Sequence, residues 1–167
     1  NMAVEGLKDH EVYLLAHSMG GLIALRYLEL FPDAVSKAVI TSPMLKMETP
    51  FPETMAYYIA TGACSIGKCT QWVMGQHPDK VKDASYLEIK ETHNEKLHLE
   101  YVNAIEADPV NRKTWGVTYG WVKDAMDLAY KTRDDQEIKK INTDFLILTA
   151  TDDQFVDVPI QKEFMKK

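Results

Sequence analysis

A chain of 167 residues is long enough to bury a core of its own. Its composition, 46% hydrophobic and 26% charged, is that of a folded globular chain. A net charge of −6 leaves no basic stripe for nucleic acid and no polybasic patch for anionic lipid, and no apolar run reaches the ~18 residues of a membrane span.

In chain order, residues 1–10 read as a helix end and a polar loop. Residues 12–16 form a continuous apolar run, the pattern of a parallel strand covered on both faces. A helical pattern follows over residues 19–31, with Leu22, Ile23, Leu25, Leu28 and Leu30 nearly all round it and only Arg26 and Glu29 marking a wet stripe. Residues 38–41 read as the next strand, and strand, helix, strand implies a right-handed parallel unit. Ser42-Pro43 then breaks the alternation. Residues 44–142 show helical patterns and loops but no convincing strand: 53–73 as one or two helices interrupted near Gly62 or Gly67, a loop over 75–82 around His77-Pro78, an amphipathic helix over 94–107, a turn region over 111–116 and a helix over 118–131. The amphipathic helix has Leu97, Leu99, Tyr101, Val102 and Ile105 as its apolar set. The charge run 131–140 reads as a solvated surface. Residues 145–150 restore the strand pattern, and a helix begins near Val158. Cys64 and Cys69 make no CxxC or zinc spacing, so two free thiols in a reducing compartment are expected.

The junction at Ser18 carries the chemistry. An apolar strand enters a serine between small residues, Ala16 and Gly20, and leaves as a helix, as a nucleophile elbow does. Such a turn holds its serine at a strained φ/ψ that costs about 1–3 kcal/mol. Strand and helix nearly touch there, which accounts for the small residues two before and two after the serine. The first N–H groups of the helix, Met19 foremost, lack intrahelical acceptors and can stabilise an oxyanion. The competing reading is an ordinary N-capping serine. After the last strand, Ala150-Thr151-Asp152-Asp153-Gln154-Phe155-Val156 offers two aspartates at the sheet edge where open α/β sheets place their sites. Either Asp152 or Asp153 could orient a histidine, and Ser then Asp then His is the order used on this kind of sheet. Turn closure is the plainer role for both.

Together these segments resemble the α/β-hydrolases, and within them the bacterial lysophospholipase and monoacylglycerol lipase group, which is serine aminopeptidase S33-like. Ala16-His17-Ser18-Met19-Gly20-Gly21 is similar to that group's elbow, and Ser42-Pro43-Met44 to its entry into a cap. Glu91-Thr92-His93-Asn94, Ala107-Asp108-Pro109 and Gly116-Val117-Thr118-Tyr119-Gly120-Trp121-Val122 resemble its lysophospholipase branch. The resemblance covers essentially the whole chain. It implies strands five to seven of an α/β-hydrolase sheet, with a helical cap inserted between six and seven. The expected segments are a core over 1–43, a cap over 44–143 and a core return over 144–167.

The family's acid lies in a small-x-x-Asp-x-x-Val pattern, which Ala150, Asp153 and Val156 fit, so the resemblance selects Asp153. It also implies that the catalytic histidine follows beyond Lys167, that an upstream oxyanion donor precedes Asn1, and that the chain is a fragment. None of His10, His17, His77, His93 or His98 is expected to replace that histidine. The elbow strand would then be an apolar edge prone to aggregation.

The expected activity is hydrolysis of a carboxylic ester, a lysophospholipid or monoacylglycerol, through an acyl-enzyme on Ser18. The alternative is a truncated, non-catalytic remnant. No cofactor, metal or nucleic acid is expected. The expected partners are a lipid ester and, transiently, a membrane surface, in a cytoplasmic or inner-membrane-peripheral setting. Met44, Met55, Tyr58, Trp72, Trp115 and Trp121 are among the residues that could line an acyl site in the cap, or simply fill a core.

Overall fold

A computed structural model describes residues 10–76, 92, 94–107 and 116–167. The sequence-based expectations at 1–9, His77-Pro78, Glu91, His93, Asp108-Pro109 and Trp115 lie outside these residues.

The chain is an α/β fold built on a small parallel sheet. Strand β1 is Tyr13–His17, helix α1 Ser18–Leu30, strand β2 Lys37–Thr41 and helix α2 Glu53–Ser65. Helix α3 is Glu95–Glu106, α4 Tyr119–Thr132, α5 Asp135–Ile138, strand β3 Asp144–Leu148 and helix α6 Val158–Phe164. The strands lie in the order β1-β2-β3, all parallel. Their register aligns Tyr13, Lys37 and Asp144 at one end and His17, Thr41 and Leu148 at the other. All three C-terminal ends therefore share one sheet edge.

The chain divides into two compact units, Asn1–Tyr57 with Lys123–Lys167, and Tyr58–Val122. In the first, the core is Leu22, Leu25 and Leu28 of α1, Ala38 and Ile40 of β2, and Leu45, Met126 and Phe164. Polar networks close this unit. Arg133 pairs with Glu53 at 2.8 Å, its guanidinium lies 5.0 Å from the Tyr130 ring centre, and Tyr130 meets Tyr57 edge-on. Tyr57 Oη donates to Asp127 at 2.8 Å. In the second unit, residues 69–73 run antiparallel to 117–120: Val73 N–H donates to Val117 O, Tyr119 N–H to Gln71 O and Gly120 N–H to Cys69 O. Glycine at 120 suits this close approach, because a Cβ there would sit 3.0 Å from the Cys69 carbonyl oxygen.

Several expectations are corrected. Cys64 and Cys69 are joined in a disulfide, not free. Gly67, at φ +79°, turns the chain after α2, and its N–H donates to Cys64 O, which returns Cys69 to Cys64. The redox argument for a reducing compartment falls with the free thiols. Strand β1 is covered on one face only: Tyr13 and Leu15 are 63% and 77% exposed, and Leu146 and Leu148 of β3 share that open face by register.

Glu29 is buried rather than wet, ion-paired with Arg26 at 2.8 Å, while Met19, Ile23 and Leu30 are the exposed side of α1. The charge run after α4 is not simply solvated, since Thr132 and Ile138 are buried and Glu137 pairs with Arg26. On α3, Leu97, Leu99 and Tyr101 are exposed, and Val102 is half-buried. Met44 is buried, as is Leu45. Among the described residues, no helix is long and apolar enough to cross a membrane.

Candidate active site

Each site residue follows the end of a parallel strand. Ser18 comes directly after β1 and opens α1, with His17 in an extended N-cap conformation that uses no side-chain cap. Serine does not cap this helix: it is the first helical residue and has φ +52°. A non-glycine residue in that region is strained. Ser18 and Ser42, at φ +42°, are the two such residues among those described. Ser18 O accepts a hydrogen bond from Met44 N–H at 3.0 Å, so the strained turn is held from the loop beyond β2. Met19 N–H is in the first turn of α1, where backbone donors lack intrahelical acceptors.

The small residues of the elbow act differently from expectation. A Cβ at Gly20 would meet nothing within 4 Å. One at Gly21 would lie 2.9 Å from Ile40 Cγ2 and 3.0 Å from Pro43 Cα. The close approach of α1 to β2 thus falls at Gly21, three residues after the serine. Ala16 is half-buried on β1, and its carbonyl accepts from Thr41 Oγ1 at 3.4 Å. Thr41 Oγ1 also lies 2.7 Å from His17 Nδ1. His17 is thereby engaged with β2, beside the open face of the sheet. His10 is exposed and precedes β1. His98 lies on α3, in the other compact unit.

Asp153 sits in the loop after β3. Its Oδ1 accepts from Phe155 N–H at 3.0 Å and Val156 N–H at 3.1 Å, which fixes the carboxylate through one oxygen. Asp152 is exposed, whereas Asp153 is half-buried. The shared edge brings the elbow and the acid loop to the same end of the sheet, with β2 between them. Just beyond, Asp157 caps α6 by accepting from Ile160 N–H at 2.9 Å and pairs with Lys46. Burial pushes the Asp157 carboxyl up, but the Lys46 ammonium and the Ile160 N–H outweigh it and hold it below the ordinary carboxylate range. Hydrogen bonding to Asp157 raises the Lys46 ammonium correspondingly. Among the described residues no three His, Cys, Asp or Glu side chains gather as a metal site would require.

Three features of the site went unread in the sequence: the close approach at Gly21, the second strained turn at Ser42 and the Lys46–Asp157 pair. Only the Gly20-Gly21 doublet and the Ser42-Pro43 break hinted at the first two. A lysine and an aspartate 111 residues apart carry no local signal.

Comparison with known proteins identifies the family and the fold. The chain matches the hydrolase family described as "Serine aminopeptidase, S33" over residues 1–167. It is 31% identical over 147 residues to a probable lysophospholipase L2 of Haemophilus influenzae, covering 87% of this chain and 44% of that protein. The fold is shared with the monoacylglycerol lipase of Paleococcus ferrophilus, at TM-score 0.70 and 21% identity over 99% of this chain and 56% of that one. It is also shared with a monoglyceride lipase of Saccharomyces cerevisiae, at TM-score 0.65 and 18% identity over 99% of this chain and 52% of that one. The chain spans about half the length of the relatives it matches. With the elbow, the parallel sheet and a match over its whole length, the chain belongs to the serine aminopeptidase S33 family of α/β-hydrolases.

Proposed function

We propose that this chain carries the nucleophile and the acid of a serine hydrolase that cleaves the carboxylic ester of a lysophospholipid or monoacylglycerol. The observation that carries the reading is Ser18 itself, a non-glycine residue at φ +52° where a parallel strand meets a helix. The relative of known sequence is named a probable lysophospholipase, and the matching folds include monoacylglycerol lipases.

In this mechanism Ser18 Oγ attacks the ester carbonyl while an imidazole takes its proton. The Met19 N–H stabilises the oxyanion, and Asp153 orients the imidazole and stabilises its charged form. The alcohol leaves with a proton from the imidazole, and water then resolves the acyl-enzyme. We assign neither the imidazole nor a second oxyanion donor to a described residue of this chain, which spans about half the length of its relatives. A lipid ester would be reached by transient contact with a membrane surface.

The test uses the full-length protein, a fluorophosphonate probe and a panel of monoacylglycerols, lysophospholipids and short-chain esters. Labelling at Ser18 is expected, and Ser18→Ala should lower kcat by roughly 10⁴- to 10⁶-fold. A full-length protein that hydrolyses esters without labelling at Ser18 would overturn the assignment.

A further inference from the structure

The second strained turn opens a segment that bonds both to the elbow and to the loop carrying Asp153. Ser42 is buried at φ +42°, directly after β2. From it, residues 41–48 run between the two halves of the site. Toward the elbow, Thr41 Oγ1 bonds Ala16 O and His17 Nδ1, Pro43 packs on Gly21, and Met44 N–H donates to Ser18 O. These contacts grip the elbow on both sides of Ser18.

Toward the acid, the same segment holds both ends of the loop that carries Asp153. Before the aspartate, Ser42 N–H donates to Leu148 O at 2.8 Å and Ser42 Oγ accepts from Ala150 N–H at 3.4 Å. After it, Glu48 N–H donates to Phe155 O at 2.8 Å, Asp157 N–H donates to Lys46 O at 3.0 Å, and Met47 bridges Val156 in antiparallel fashion. The Lys46–Asp157 ion pair, largely shielded from solvent, closes that end.

We infer that residues 41–48 form a positioning strap that sets Asp153 relative to Ser18, with Ser42 and Lys46 as its two positioning residues. The inference rests on the nucleophile and acid roles proposed above. It gives the strain at Ser42 a reason: an extended residue there would carry the chain on past the end of β3 instead of turning it between elbow and acid loop. Ser42 and Lys46 both act through Asp153, since a misplaced carboxylate no longer stabilises the imidazolium that forms in the reaction.

The test is a double-mutant cycle in the full-length protein, read as the rate of covalent labelling of Ser18 by a fluorophosphonate. Ser42→Gly keeps the positive φ at little cost and removes the side chain, and with it the Oγ that accepts from Ala150 N–H. Lys46→Met removes the ion pair, and Lys46→Arg restores the charge. Ser42→Gly and Lys46→Met should each slow labelling by about 10- to 100-fold, the scale of a misplacement near 1 Å. Lys46→Arg should recover most of the rate. In an Asp153→Ala background neither variant should slow labelling further, because the group they position is gone.

Equal slowing in both backgrounds would mean that the strap merely supports Ser18, and no slowing in either would remove it altogether. Both outcomes overturn the inference while leaving the nucleophile in place. A wild-type protein unlabelled at Ser18, or an Asp153→Ala variant that labels as fast as wild type, overturns the site assignment and the strap with it. Matching thermal melts of the two variants and wild type separate slowed chemistry from lost folding.

Discussion

At the scale of single residues, the site is organised by two kinds of exception. Ser18 and Ser42 occupy a backbone region that glycine would occupy more cheaply, and Gly21 occupies a space in which a Cβ would force its neighbours to shift. A methyl group at position 21 would stand 2.9 Å from Ile40 Cγ2 and 3.0 Å from Pro43 Cα, the second of which is backbone and cannot swing away. Gly21→Ala is therefore expected to destabilise by about 1–3 kcal/mol, the range for overpacking. Gly20→Ala meets open space within this chain and should lie within about 1 kcal/mol of wild type, with the better helix propensity of alanine in its favour. Chemical denaturation of the two variants side by side checks the contrast. If Gly20→Ala is the more damaging, the close approach has been placed one residue too late.

At the scale of elements, α2 and α4 are tied by their ends. The Cys64–Cys69 disulfide closes the turn after α2, and the Cys69 carbonyl accepts from Gly120 in the first turn of α4. One covalent link thus stabilises a turn whose carbonyl satisfies an otherwise orphan helix donor. Closing so short a loop removes unfolded-chain entropy worth about 2 kcal/mol. Reduction, or the paired substitution Cys64→Ser with Cys69→Ser, should lower stability by about that amount and raise hydrogen exchange over 61–76 and 117–122. Unchanged exchange in reductant would show that the hydrogen bonds hold the turn without the link.

At the scale of the whole molecule, charge is buried where α1 meets the segment after α4. Glu29 is 2% exposed, and burial pushes its carboxyl up to about 7. The hydrogen bond and charge of Arg26 pull it down, the charge of Glu137 pushes it up, and that of Lys140 pulls it down, but burial wins. A carboxyl raised in the fold favours the protonated state there. Its contribution to stability is full below the unfolded value of 4.5 and is lost as pH rises through about 7. Within that window the slope is up to about 1.4 kcal/mol per pH unit. Glu29→Gln, uncharged throughout, should abolish the slope, and urea midpoints at pH 5 and pH 8 for both proteins measure it. An equal fall in the variant would assign the pH dependence to another group.

The sequence by itself determined the order of the strands and longer helices, the parallel sheet, the elbow at Ser18 and the family. Each of these rests on local signals: apolar runs, helical spacing, and small residues at a strand-to-helix junction. Tertiary structure decided what depends on residues distant in the chain. That includes the pairing of Cys64 with Cys69 through the Gly67 turn, the transfer of the tight contact from Gly20 to Gly21, the burial of Glu29 and the face of β1 left open. It includes above all the hold of residues 41–48 on an acid loop more than a hundred residues away. Hydrogen bonds between such segments arise only once the sheet has brought its C-terminal ends together, so no window along the chain could contain them.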